Sequence, residues 1–199
     1  MPDRIFGDRE RAMEESYFRH EDAKLIDKLR QNAHLDEIAL ALGEKLQIEK
    51  PDLLLRVREA GVSLDTAPAL FLAPLLQVAW AGGSVTMAEH DAVLRLARAR
   101  GIDPASPAYA QLEEWLKERP DDALFDTAVE VIKEGFSVLP QDEREERIKK
   151  LVDACQQVAS ASTKGLGWVL GLKSVSYSEA STLDAITNTL RRPERLKPQ

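Results

Sequence analysis

The stretch AWAGGSVTMAEHDAVL, residues 79–94, contains the signals that decide the fold. A helix ends at the glycine pair 82–83, because glycine stops helices readily. A new helix begins after Thr86, with Glu89 three residues further along. In this spacing, a capping box, the hydroxyl accepts from an amide of the first turn and the glutamate accepts from the N-cap amide. The stretch therefore predicts a helix–loop–helix unit.

A second stretch, KSVSYSEASTLDAI (173–186), repeats this pattern with Ser176 and Glu179. A helix ending in a V-A-x-A step precedes each copy, at 78–81 and at 158–161. The second copy carries a longer connector, STKGLGWVLGLK. We expect a duplicated helix–loop–helix unit whose two copies pack together with approximate symmetry.

Apolar residues recur at intervals of three and four along the chain, which is the helical period, and alternating strand patterns are almost absent. The sequence therefore predicts an all-α protein, a compact helical bundle with a long N-terminal helix. Its predicted domains are an N-terminal charged amphipathic helix (1–33), a helical bundle (34–191) and a disordered tail (192–199). The predicted helices lie near 8–31, 35–46, 51–60, 65–81, 87–100, 107–118, 122–138, 141–163 and 177–191.

The composition of the 199 residues, with 44% hydrophobic and 31% charged, is that of a globular protein. The net charge of −7 disfavours nucleic-acid binding, which needs a basic face. The single cysteine, Cys155, fits a reducing compartment, and its helical spacing from Leu151 and Val158 predicts a buried structural thiol. The apolar runs are too short to span a bilayer, and no signal peptide is recognisable, so we expect a cytoplasmic location. No pattern indicates an oligomeric state.

Patterns typical of catalysis or of cofactor binding are missing from the sequence. The three histidines, His20, His34 and His90, do not have the spacing of zinc ligands. The glycines of the long connector follow a helix and lack the lysine of a phosphate-binding loop. We therefore predict a non-enzymatic protein without a metal or cofactor, in which Trp80 and Trp115 build the core.

The body of the chain, from about 67 to 190, resembles the TerB-like tellurite-resistance family. The resemblance rests on APLLQVAWAGGSV (73–85), PAYAQLEEWLKERP (107–120) and VASASTKGLGWVLGLKSVSYSEA (158–180). It implies a compact helical bundle, and its members are linked to stress response and metal-ion binding. Family members often carry acids after the W-A step, where this chain has glycines and a serine. One glutamate already used as a cap makes a cation site at this turn unexpected.

The N-terminal segment presents two apolar patches when it is wound as a helix at about 100° per residue. Phe6, Met13 and Tyr17 fall in one sector, and Phe18 and Leu25 fall in another. Two displaced patches suggest two contacts, one on the bundle and one on a partner. A single wide buried face, which would make this helix part of the bundle, explains them equally well.

The segment FGDRERAMEESYFR, residues 6–19, resembles the inhibitory helix of the mitochondrial F1-ATPase inhibitor proteins, F-G-x-R-E-x-A-x-E-E-x-Y-F-R. In that family the helix wedges into a catalytic interface of the ATPase and blocks ATP hydrolysis. Here a short helix and Pro51 follow in place of a histidine-rich coiled coil, so pH-controlled dimerisation is not implied. The resemblance predicts an interaction protein that binds an F-type ATPase; the alternative is a metal- or oxyanion-stress protein acting through the bundle. The implied partner-binding residues are Phe6, Arg9, Glu10, Glu14, Tyr17, Phe18 and Arg19.

Overall fold

The computed structural model describes residues 48–161 and 176–192 of the chain. This part forms eight α-helices, as the helical period of its apolar residues predicts, and it contains no strand. The predicted all-α class is therefore confirmed. The predicted helices at 8–31 and 35–46 lie outside the described residues, as does 193–199 of the predicted tail. The helices are α1 (Pro51–Glu59), α2 (Ala67–Leu70), α3 (Ala73–Ala79), α4 (Met87–Ala99), α5 (Pro107–Lys117), α6 (Asp122–Ser137), α7 (Gln141–Ala159) and α8 (Tyr177–Arg191), with a 3-10 turn at Trp80–Gly82.

By its contacts the chain divides into two units, Met1–Ala41 and Leu42–Gln199. All described residues belong to the second unit. None of the helices in this described part combines the length and the apolar character needed to cross a bilayer.

The continuous helix predicted over 65–81 is wrong, because the structure divides it into α2, α3 and the 3-10 turn. Pro74 occupies one of the first two positions of α3. A proline has no amide hydrogen, and its ring clashes with the carbonyl four residues earlier, here that of Leu70, the last residue of α2. The break is therefore a local effect of one residue that the periodicity alone does not report.

Helix α3 lies at the centre of the described bundle. Six of its seven residues are buried, and it packs against α4, α6, α7 and α8. A helix that is apolar around its whole circumference needs neighbours on every side. The remaining helices supply those neighbours, and α3 and α7, the first helices of the two predicted repeats, contact each other directly.

Cys155 of α7 is buried, as the sequence predicts. Burial raises the pKa of its thiol to about 12, and the positive charge of Arg100 opposes this shift only in part. The nucleophilic form of cysteine is the thiolate, so an uncharged buried thiol contributes to packing rather than to chemistry.

The two tryptophans predicted for the core lie at its edge. Trp80 and Trp115 are both half-buried. The indole Nε1 of Trp80 donates to the backbone carbonyl of Trp115 at 2.9 Å, which connects the end of α3 to the end of α5. An indole carries a polar N–H that needs a partner, and this explains why the rings stand at a helix end.

Candidate functional site

The capping box predicted at the start of α4 is present in the structure. The backbone amide of Thr86 donates to Glu89 Oε2 at 2.7 Å, and the amide of Glu89 donates to Thr86 Oγ1 at 3.3 Å. The Thr86 hydroxyl also bonds to Glu89 Oε2, at 2.8 Å. Glu89 is thus held in place by its own helix end.

The equivalent box at the start of α8 has the same backbone pattern. The amide of Ser176 donates to Glu179 Oε2 at 2.8 Å, and the amide of Glu179 donates to Ser176 Oγ at 3.3 Å. The Ser176 hydroxyl, however, pairs with the hydroxyl of Ser178 at 2.7 Å and makes no hydrogen bond to the carboxyl group of Glu179. The second glutamate therefore receives one bond fewer from its own box.

The carboxyl groups of the two boxes meet inside the protein. Glu89 is 2% exposed and Glu179 is 5% exposed. They lie close enough for the Glu89 side chain to raise the pKa of the Glu179 carboxyl group. A bond between two carboxyl groups needs a proton on one of them, because a carboxylate can only accept. The pair Glu89–Glu179, called the carboxyl pair below, can therefore share a proton.

The pKa of Glu179 is raised above its usual range, and burial is the main cause. The Ser176 amide lowers this pKa, whereas the hydrogen bond to Glu89 and the negative charge of Glu89 raise it. Two acids in contact cannot both ionise without repulsion. Glu179 thus keeps its proton to a higher pH than an exposed glutamate does.

Packing of the two helix–loop–helix units creates the carboxyl pair. Helices α3 and α7 contact each other, α8 contacts α3 and the 3-10 turn, and α4 contacts α7. The first turns of α4 and α8 are brought together in this way. The repeat in the sequence was the available signal, since Glu89 and Glu179 occupy equivalent positions in its two copies. The carboxyl pair was not predicted, because Glu89 was interpreted only as a helix cap.

The carboxyl pair can share a proton, or it can hold a cation between two carboxylates. One oxygen of each glutamate is engaged by its own box, which leaves the other oxygen for the partner. In the described ranges, no group of three or more histidine, cysteine, aspartate or glutamate side chains is arranged to hold a metal ion. A divalent cation prefers six or more oxygens, so the pair supplies only part of a coordination shell.

Among residues 48–161 and 176–192, the neighbouring polar groups do not complete that shell. His90 Nδ1 lies 3.3 Å from Asp91 Oδ1, and Asp91 is exposed. The loop before Thr86 turns at Gly83, whose φ of 89° lies in the left-handed region that favours glycine. This turn consists of Gly82, Gly83 and Ser84, so it adds no carboxylate.

The residues predicted to bind a partner lie outside the described part of the chain. These are Phe6, Arg9, Glu10, Glu14, Tyr17, Phe18 and Arg19. They stay a prediction from the sequence. Comparison of the chain with known protein families, curated proteins and solved structures finds no match.

Proposed function

We propose that this chain is a non-enzymatic, cytoplasmic interaction protein whose N-terminal segment binds and inhibits an F-type ATPase. The observation that carries the proposal is the ungapped agreement of residues 6–19 with the inhibitory helix of the F1-ATPase inhibitor proteins. Ten specified positions agree within these fourteen residues: Phe6, Gly7, Arg9, Glu10, Ala12, Glu14, Glu15, Tyr17, Phe18 and Arg19.

The chemistry of the segment suits a helix that binds in a groove. Tyr17 and Phe18 are adjacent aromatic residues of the kind that anchor interfaces. Burying each of them would contribute about 1.5–3 kcal/mol. The flanking charges of Glu14 and Arg19 would pair with groups at the rim of the groove and orient the helix.

The described bundle, which begins at residue 48, supports the proposal as a body to which the N-terminal segment is joined through the chain. Ile48 is buried, and Lys50 Nζ lies 2.6 Å from Glu134 Oε2 of α6. Helix α1 follows at once and packs on α6, where Arg56 pairs with Glu130. A partner that captures residues 6–19 would therefore be tethered to this helical bundle.

The test measures ATP hydrolysis by the host F1-ATPase with the full chain and with a peptide of residues 4–32. We expect both to slow hydrolysis, because the contacts lie within the peptide. The variant Tyr17→Ala with Phe18→Ala should lose most of the inhibition. The matched control is Phe71→Ala with Tyr177→Ala, since both of these aromatics are exposed on the bundle. Absence of inhibition by chain and peptide at high excess would refute the proposal.

A second candidate function, binding of a metal cation in a stress response, is favoured by the carboxyl pair. Two buried carboxyl groups that touch can exchange their shared proton for a divalent cation, with water completing the shell. The oxyanion form of this alternative has no support at the pair, which would repel an anion.

Titration calorimetry with Ca²⁺, Mg²⁺ and Zn²⁺ tests the cation function. Binding should release a proton and should be lost in Glu89→Gln and in Glu179→Gln, because glutamine still fits a capping box but carries no charge. Glu145→Gln and Glu146→Gln, which change exposed acids of α7, are the matched controls. No heat at millimolar metal would exclude the cation function.

A further inference from the structure

A cationic cleft lies where the last turns of α6 and α8 meet the first turns of α7. It has a volume of about 170 Å³. Four basic side chains line it: Lys133, Arg144, Arg191 and Arg192. Glu145 is the one acid among the described residues of its lining. The whole chain, in contrast, has 34 acidic and 27 basic residues.

The described residues neutralise little of this positive charge. Arg191 Nε lies 3.5 Å from Glu145 Oε2, with both side chains about half exposed, which makes a weak ion pair. Within residues 48–161 and 176–192, the side chains of Lys133, Arg144 and Arg192 have no ion pair and no hydrogen bond. Three unpaired cations around a small cleft repel one another, and an anion placed between them removes that repulsion.

The cleft also has an apolar part. Ile148 and Leu190, both almost completely buried, line it beneath the charges. Lys133 and Arg144 are themselves partly buried, so their charges act in surroundings less polar than water. The volume is similar to that of a cavity of about 150 Å³ that accepts a benzene ring. The cleft therefore has room for an anionic group with a small apolar substituent.

We propose that this cleft binds a phosphate monoester, with the dianionic phosphate between Lys133, Arg144 and Arg192. The planar guanidinium of an arginine matches phosphate oxygens with two parallel hydrogen bonds, and a lysine adds a point charge. The ester substituent lies on Ile148 and Leu190. The proposal uses no residue of the N-terminal segment or of the carboxyl pair, so it stands or falls independently of the proposed function.

The size of the cleft favours a single phosphate group over a polymer of phosphates. A nucleic acid needs an extended basic face, and this chain has a net charge of −7. A lipid phosphate presents the same chemistry as a soluble ester, so the experiment has to separate these two sources.

Titration calorimetry of the full chain with phenyl phosphate tests the proposal. Inorganic phosphate, benzoate and vesicles containing phosphatidic acid are titrated in parallel. We expect saturable binding of phenyl phosphate, weaker binding of inorganic phosphate, which lacks the apolar group, and still weaker binding of the monoanion benzoate. Raising the salt concentration should weaken binding, because partly exposed charges are screened. Absence of saturable binding of phenyl phosphate at 10 mM, or binding to vesicles alone, would overturn the proposal.

Matched variants locate the site. Lys133→Gln with Arg144→Gln should weaken phenyl phosphate binding at least about tenfold, since two charge-assisted hydrogen bonds are lost. Lys149→Gln with Arg147→Gln removes the same charges from exposed positions of α7 and should change the affinity less than about twofold. If the variant Lys133→Gln with Arg144→Gln does not fold, Arg192→Gln, at an exposed helix end, replaces it as the test variant. Equal weakening in cleft and control variants would contradict a specific site.

Discussion

The two capping boxes of this protein have the same sequence pattern but different hydrogen bonds. Glu89 accepts from both the amide and the hydroxyl of Thr86, at 2.7 and 2.8 Å. Glu179 accepts from the amide of Ser176 only, because the Ser176 hydroxyl is occupied by Ser178. Hydrogen bonds to a carboxylate stabilise its charged form. The difference agrees with the raised pKa of Glu179, which favours a proton on Glu179 that this residue can donate to Glu89.

Among substitutions in the two capping boxes, replacement of either glutamate should lower the stability of the protein most. Glu179→Ala removes a cap contact and leaves the Glu89 carboxyl group buried without its neighbour. A lost cap costs about 1 kcal/mol and a buried unsatisfied group about 1–3 kcal/mol. We expect the free energy of unfolding in urea to fall by roughly 2–4 kcal/mol, the sum of these two costs.

Glu89→Ala tests the reverse case. It leaves Glu179 protonated and able to lose its proton, so we expect a similar or smaller loss of stability. The double alanine variant should cost less than the sum of the two single variants, since residues in contact are not additive. Strict additivity would contradict the contact between the two carboxyl groups.

The pH dependence of stability should be the next largest effect. The pKa of Glu179 is raised in the folded protein, so the folded state holds its proton more tightly than the unfolded state. The stabilisation is complete below the ordinary glutamate pKa of about 4.3 and is lost as the pH rises through the raised pKa. Stability should therefore decline with increasing pH above this ordinary value.

Glu179→Gln sharpens this prediction because glutamine is neutral and can still donate to Glu89. We expect chemical denaturation at a series of pH values to show a smaller decline in the variant, and a variant more stable than the natural chain at neutral pH. Glu145→Gln on the surface of α7 is the control. An unchanged decline in Glu179→Gln would mean that another group causes it.

Substitution of the hydroxyl caps should lower stability least. The size of the loss should differ between the two boxes. Thr86→Ala and Ser176→Ala each lose an N-cap bond, worth about 1 kcal/mol. Thr86→Ala should cost somewhat more, because the hydroxyl bond to Glu89 is lost as well. Thermal unfolding measures both variants, and a larger loss for Ser176→Ala would contradict the placement of the proton on Glu179.

The first helical residues of the two repeats provide a control for these caps. Met87 and Tyr177 occupy equivalent positions and are 82% and 91% exposed. Their alanine variants should change stability by less than about 0.5 kcal/mol, as is usual for surface positions.

Helix boundaries were largely predictable because their causes are local. The box residues, together with Gly101 and Pro107, act on amides and carbonyls a few residues away, and the predicted starts of α4 to α8 agree with the structure. The division of the helix predicted over 65–81 was missed because the apolar period continues through Pro74. The edge position of Trp80 was missed because the helical pattern does not show where a helix end meets a neighbour.

The sequence by itself determined the all-α class, most helix ends, the two capping boxes and the burial of Cys155, all of which depend on neighbours within a few residues along the chain. Only the tertiary structure decided that Glu89 meets Glu179 and that Lys133, Arg144 and Arg192 surround one cleft. The physical reason is that a cap is completed within one helix turn, whereas a shared proton or a cluster of cations depends on helices that pack from distant parts of the sequence.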